Sequence, residues 1–170
     1  MADRIYVSDE GIGRLRERLE KVSADLNSIR EEKAIAYTAS GDTWHDNPYF
    51  NKLEQDEQAK VREMSELQGL ISGAHIFNPP ARRNTERVRL GSIVRFRRLY
   101  HDRGEEQNEV WEIVGYGEID VVQHKIAYNS PLAQALMGLE PGDTRRTNTP
   151  KGMAEYEIVD LYASWDEVEP

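Results

Sequence analysis

The chain of 170 residues contains no cysteine. That excludes disulfide scaffolds, thiolate nucleophiles and thiolate metal sites. No window approaches the roughly 18 consecutive apolar residues that a membrane span needs. The first residues, MADRIYVSDEG, lack the apolar core of a secretory signal, so a cytoplasmic protein with no membrane partner is expected. Basic residues are the minority: the formal net charge is −9, which argues against a main role in gripping duplex DNA through its phosphates. His75, His101 and His124 show no ligand spacing, so no stably bound metal or cofactor is expected. One stretch runs against the overall charge. Between Arg82 and Arg98 stand Arg82, Arg83, Arg87, Arg89, Arg95, Arg97 and Arg98 against Glu86 alone, either a charge-protected strand edge or a patch facing RNA or another protein.

What is present begins with a helical period. Ile12, Leu15, Leu19, Val22, Leu26 and Ile29 follow at alternating spacings of three and four, an a/d seam that predicts a coiled-coil helix. Ser8 is its candidate cap, and a helix from about Asp9 to Ala39 would be roughly 46 Å long. A second seam reads Phe50, Leu53, Val61, Met64, Leu67, Ile71 and Ala74, with Glu57 and Lys60 interrupting its middle. Gly41 can end the first helix. Asp46 or Asn47 can cap the second, with Pro48 in its first turn. Two long helices joined by so short a turn run antiparallel.

Asn78-Pro79-Pro80 breaks the helical pattern, because proline cannot continue the backbone ladder. Strand character then appears in Ser92–Phe96, Glu109–Val114 and Ala154–Val159. Residues 102–106 read as a hairpin loop. Ser130-Pro131-Leu132-Ala133-Gln134-Ala135-Leu136-Met137-Gly138 reads as one short helix, capped by Ser130 and stopped by Gly138. The fold class is α+β. Its predicted parts are an antiparallel coiled-coil hairpin over 1–77, a linker over 78–87, a small α+β domain over 88–164 and an acidic tail over 165–170, read as disordered.

The Ser130–Gly138 stretch is followed by Pro141-Gly142-Asp143 and then by Thr149-Pro150-Lys151-Gly152. This ordered set resembles the C-terminal signature of Gre-type bacterial transcription elongation factors. The hairpin with Gly41-Asp42 at its tip resembles their N-terminal half. The likeness spans Ile5 to about Tyr162. It implies a C-terminal domain of FKBP-like fold that docks on RNA polymerase, with Ser130, Pro131, Leu136 and Gly138 in the docking segment. It also implies that the hairpin enters the polymerase's secondary channel. In cleavage-stimulating members two tip acids help hold a Mg²⁺ in the polymerase's own active site, where backtracked RNA is hydrolysed. The 3′ end of the nascent RNA is then met only indirectly. Such a protein is an accessory factor, expected to be a monomer, and not itself an enzyme.

The family tip reads Gly-Asp-x-x-Glu-Asn-x-x-Tyr, and here the residues are Gly41-Asp42-Thr43-Trp44-His45-Asp46-Asn47-Pro48-Tyr49. Asp42 matches the first acid. Without a gap His45 takes the glutamate's place; with one inserted residue Asp46-Asn47 does. By resemblance, Asp42 and Asp46 are the acids that share Mg²⁺ with the polymerase, flanked by contacts from Trp44, His45 and Asn47. Each has a plainer reading: Asp42 as a solvated turn residue, Asp46 as a helix cap, His45 as a solvated loop residue, Trp44 as packing on its own turn. Because the second acid departs from the pattern, a factor that occupies the channel without promoting cleavage is the first alternative. A peptidyl-prolyl isomerase, suggested by fold alone, and a generic coiled-coil adaptor are the others.

Overall fold

A computed structural model describes residues 4–169; the side chains of Asp42 and Thr43 lie outside the described residues. The chain divides into two compact units, one taking in Ile12–Ala74 and the other Ile5–Gly11 with His75 onward. The boundary falls between Ala74 and His75, three residues before the end of the hairpin expected from sequence. A short N-terminal piece belongs to the second unit.

The first unit is the helical hairpin. Helix α1 (Asp9–Ser40) begins in the second unit and runs on through the first. Its seam side chains Ile12, Val22 and Leu26 are buried. Helix α2 (Pro48–Ser72) buries Phe50, Leu53 and Leu67. Its seam departs from the sequence reading in the middle. Val61 is exposed, whereas Glu57, Lys60 and Met64 are half-buried. The regular run is therefore Phe50, Leu53, Glu57, Lys60, Met64 and Leu67, again at spacings of three and four.

The two charged residues are matched from across the hairpin. Glu57 accepts from Arg30 at 2.8 Å and Lys33 at 3.0 Å, and Lys60 donates to Asp25 at 3.0 Å. Arg18 adds a bond to Glu63 at 2.9 Å. A polar layer inside an otherwise apolar seam costs stability but fixes register.

The second unit holds a five-stranded sheet ordered β5-β4-β3-β7-β6. The strands are β3 (Ile93–Tyr100), β4 (Glu105–Val114), β5 (Lys125–Ala127), β6 (Thr144–Thr149) and β7 (Gly152–Tyr162). All neighbours are antiparallel except β4 and β5, which run parallel. One face packs its alternate residues Val94, Phe96, Ile113, Tyr156 and Ile158 against Ala133 and Leu136 of the short helix α3 (Pro131–Leu136). Two three-residue strands, β1 (Ile5–Val7) and β2 (Ala74–Ile76), pair with each other. The Phe77 N–H donates to the Val7 carbonyl at 2.8 Å, and Val7 is fully buried.

The start of α1 shows how this N-terminal piece is held. The Ser8 hydroxyl accepts the Gly11 N–H at 2.9 Å, and the Ser8 N–H donates to the Glu118 carboxylate at 2.6 Å. Asp9 and Glu10 then face the positive end of the helix. At Gly11 a Cβ would meet the Glu118 carboxylate, so a larger residue there would displace the group that accepts from Ser8.

The C-terminal residues are not a disordered tail. Trp165–Glu167 form a 3-10 turn, and the Trp165 indole donates to Glu112 at 3.0 Å. Glu112 is buried and also accepts from Arg83 at 2.9 Å. A buried carboxylate tolerates its site only with such partners.

Candidate functional site

The tip of the hairpin is built by local chemistry. Gly41 ends α1 with a φ of +52°, a conformation open to glycine. A 3-10 turn, Gly41–Asp46, follows, and α2 starts at Pro48. The cap of α2 is Asn47. Its Oδ1 accepts the N–H groups of Tyr49 at 2.9 Å and Phe50 at 3.4 Å, while its Nδ2 donates to the Ser40 hydroxyl at 2.6 Å. Both halves of the amide are used, one on each helix. Asn47 is therefore a structural bolt, and its side chain is committed inside the tip instead of being offered as an outward contact.

That assignment releases Asp46 from the capping role that sequence left open. Its side chain is 81% exposed, and the His45 imidazole lies beside it, with Nε2 3.7 Å from the carboxylate. The His45 side chain is 59% exposed, while its backbone carbonyl accepts from the Asn51 amide at 3.2 Å. The Asp42 side chain falls outside the described residues. Its backbone is the second residue of the turn.

Trp44 packs on its own turn. Its ring lies edge-on to Phe50 at 4.9 Å between centroids, with Tyr37 at 5.6 Å. Phe50, Leu53 and Ala36 are the buried cluster beneath it. Lys33 sits over the Phe50 ring at 5.3 Å. Outside this knot Tyr49 donates to Glu32 at 2.6 Å, a bond to a carboxylate that raises the phenol's pKa. Tyr37 was not foreseen, since it falls off the a/d seam; the aromatic density of residues 37–50 was the available signal. The result is a stiff turn with acid at its end.

The segment around α3 is built as read. Ser130 caps α3 by accepting the Ala133 N–H at 3.2 Å, Pro131 occupies its first position, and Gly138 follows with φ +81°. Arg145 of β6 closes the other end, donating to the carbonyls of Gln134, Ala135 and Met137 at 3.1–3.3 Å. Pro131 and Gly138 are at the surface, whereas Leu136 has no exposed area. Leu136 is thus corrected from a docking residue to a core residue on the buried face of α3.

The basic stretch is mostly self-neutralised. Arg82, Arg83, Arg87, Arg97 and Arg98 pair with Glu167, Glu112, Glu140, Glu157 and Glu109. Arg95 donates to the Glu169 carbonyl and lies on the Tyr162 ring. Among the described residues only Arg89 of the seven has no side-chain partner, which leaves little free charge for an RNA-facing patch.

Comparison with known proteins points in one direction. Residues 83–163 match the family described as transcription elongation factor, GreA/GreB, C-term. The transcription elongation factor GreA of Neisseria meningitidis serogroup B is 32% identical over 129 residues, covering 76% of this chain and 79% of that protein. GreA of Prosthecochloris aestuarii is 30% identical over 162 residues, covering 95% and 99%. The solved structure of the transcription factor Gfh1 is 25% identical and covers 95% of this chain and 99% of its own, with a TM-score of 0.44.

Proposed function

The chain belongs to the GreA/GreB family of transcription elongation factors, and from that premise we propose that it binds RNA polymerase and works as an accessory to that enzyme. The hairpin enters the secondary channel tip first, and the surface around Pro131 and Gly138 docks at the channel's rim. Asp42 and Asp46 present carboxylate oxygens to a Mg²⁺ held mainly by the polymerase, and cleavage of backtracked RNA is stimulated.

The observation that carries this reading is the division of labour at the tip. Asn47 caps α2, so Asp46 is left exposed with no structural task. Hard carboxylate oxygens are what Mg²⁺ takes from proteins, commonly only one or two at a time. When bound, such an ion activates water and stabilises a leaving oxygen. This chain's residues do the rest. Asn47 and Ser40 clamp the two helix ends and Trp44 fills the turn, so the backbone that carries the acids has little freedom to lose on binding.

One observation favours a second reading, a channel-occupying regulator without cleavage. His45 takes the ungapped place of the family's glutamate, and its imidazole is near enough to Asp46 to compete for that carboxylate.

A transcript-cleavage assay on stalled, backtracked polymerase separates the two. Asp42→Asn and Asp46→Asn remove charge with little change of shape. On the cleavage reading, both variants bind polymerase as before and lose stimulation. Loss with Asp42→Asn alone leaves one catalytic acid. An unmutated protein that binds but never stimulates at any Mg²⁺ concentration refutes the acid-pair mechanism and establishes the blocking regulator.

A further inference from the structure

The outer edge of the sheet is incomplete at β4. Strand β5 pairs only with Glu112, Ile113 and Val114, so Glu105–Trp111 have β3 on one side and, among the described residues, no strand on the other. The direction of the free groups follows from alternation in an antiparallel ladder. Ile113 donates to the Ser92 carbonyl and accepts from the Gly91 N–H, both on the β3 side. Glu112 donates to the His124 carbonyl on the opposite side. Two-residue steps from Glu112 therefore put the N–H and C=O of Val110 and Asn108 on the open edge. An open edge of this kind is a template for another strand.

Beside that edge lies a groove of about 790 Å³. Val110, Trp111, Val159, Trp165 and Val168 supply its apolar walls. Both indoles are fixed by carboxylates of β4: Trp111 donates to Glu109 at 2.8 Å and Trp165 to Glu112 at 3.0 Å. Walls held this way lose little freedom when something enters. Charge then selects the occupant. Glu105 at one end of the edge and Glu169 in the groove carry carboxylates with no cationic partner among the described residues. Glu106 and Glu109 are already matched by Arg97 and Arg98. The single cation lining the groove, Arg95, is held by the Glu169 carbonyl and the Tyr162 ring. A second copy of the chain is a poor fit, because it would bring another Glu105 and Glu169 to the edge and, among the described residues lining it, no free cation to meet them.

We propose that the open edge of β4 with its adjoining groove is a docking site for an extended segment of a partner protein. That segment adds as a strand along Asn108 and Val110, places an apolar side chain against Val110 and Trp165, and carries lysine or arginine on either side. Backbone pairing supplies affinity in this mode and the groove supplies specificity. The site is independent of the channel reading and stands whether or not the tip supports cleavage.

The test uses the purified full chain and a labelled, acetylated peptide, Lys-Val-Lys-Val-Lys-Val-Lys, followed by fluorescence anisotropy and by amide exchange. Binding should slow exchange at Asn108 and Val110. Asn108→Pro removes one outward N–H without touching the β3–β4 ladder. It should weaken binding about tenfold, as expected for one or two lost backbone hydrogen bonds, with the melting temperature unchanged. A peptide N-methylated at alternate residues keeps its charge and loses its donors, so it should weaken similarly against the unmutated chain, whatever the proline variant does to folding. Equal binding by both peptides would mean that charge alone attracts them and would sink the proposal. Absence of binding, protection elsewhere, or dimerisation of the chain alone through Asn108 and Val110 would sink it too.

Discussion

The hairpin and the sheet unit bury apolar surface by opposite means. Two helices of 32 and 25 residues bury a single file of side chains, among them Val22, Leu26, Phe50 and Leu53. The sheet unit stacks whole layers, with Val94, Phe96, Ile113, Leu136 and Ile158 all fully covered. Where side chains meet in a thin file, there are few ways for shape to fix register, and the hairpin uses charge. Glu57 and Lys60 stand in seam positions with partners drawn from the facing helix. In the sheet, register comes from the backbone ladder and packing, and ion pairs such as Arg97 with Glu157 decorate the surface. The lesson is that charged residues specify structure in one region and protect it in the other.

That contrast can be tested by cutting into each core. Phe96→Ala should cost about 3–5 kcal/mol in the sheet unit, since no neighbour can move in to fill a fully enclosed ring. Leu26→Ala should cost nearer about 2 kcal/mol, because two helices can close over a lost side chain. Unfolding followed by amide exchange at the sheet strands and by helical dichroism for the hairpin reads the two separately. Equal costs would erase the distinction between file and layer.

Losing the bolt at the tip should have a smaller effect. Asn47→Ala removes the cap of α2 and should cost about 1 kcal/mol. Asp46→Asn should leave hairpin melting where it is, because Asp46 caps nothing. A fall with Asp46→Asn matching that of Asn47→Ala would show that the acid has a structural duty after all.

Acid should sharpen the comparison with the gentlest perturbation. Lys60 holds Asp25 below the ordinary carboxylate range, and Arg30 and Lys33 do the same for Glu57. Arg18 depresses Glu63. A carboxylate depressed in the folded state contributes stability above its unfolded pKa and loses it as pH falls through the lowered value. The ordinary values are 3.8 for aspartate and 4.5 for glutamate, so hairpin melting should drop as pH goes below about 4 while amide protection of the sheet strands lags. If both signals fall together, the polar layer is not what distinguishes the hairpin.

Periodicity made the first helix and most of its seam legible, because the a/d spacing of Ile12 to Ile29 has one geometric solution. The second seam was read through Val61 because an apolar residue outranks a charged one in any pattern of hydropathy. The structure chose Glu57 and Lys60 because their partners lie on the other helix, where no local pattern can see them. Strands β3, β4 and β7 were visible in their cores, but β1, β2 and β5 have three residues each and carry no period. The tip was half legible. Both Asp46 and Asn47 precede a proline at the helix start, and only the amide's bond to Ser40 decides between them. Leu136 looked like a surface signature residue because a motif records order along the chain and not depth beneath it.

Strand β1 is synthesised ahead of the hairpin but finds its place only with segments from His75 onward. Left to diffusion, it would have to close a loop of roughly seventy residues, a search whose entropy grows with the logarithm of length. The hairpin shortens that search. Its helices need only local and near-neighbour contacts, which form early, and once zipped they bring residues 12 and 74 together at their open end. The coiled coil is then a folding device as well as a rod: it delivers β1 to the strand β2 synthesised after it.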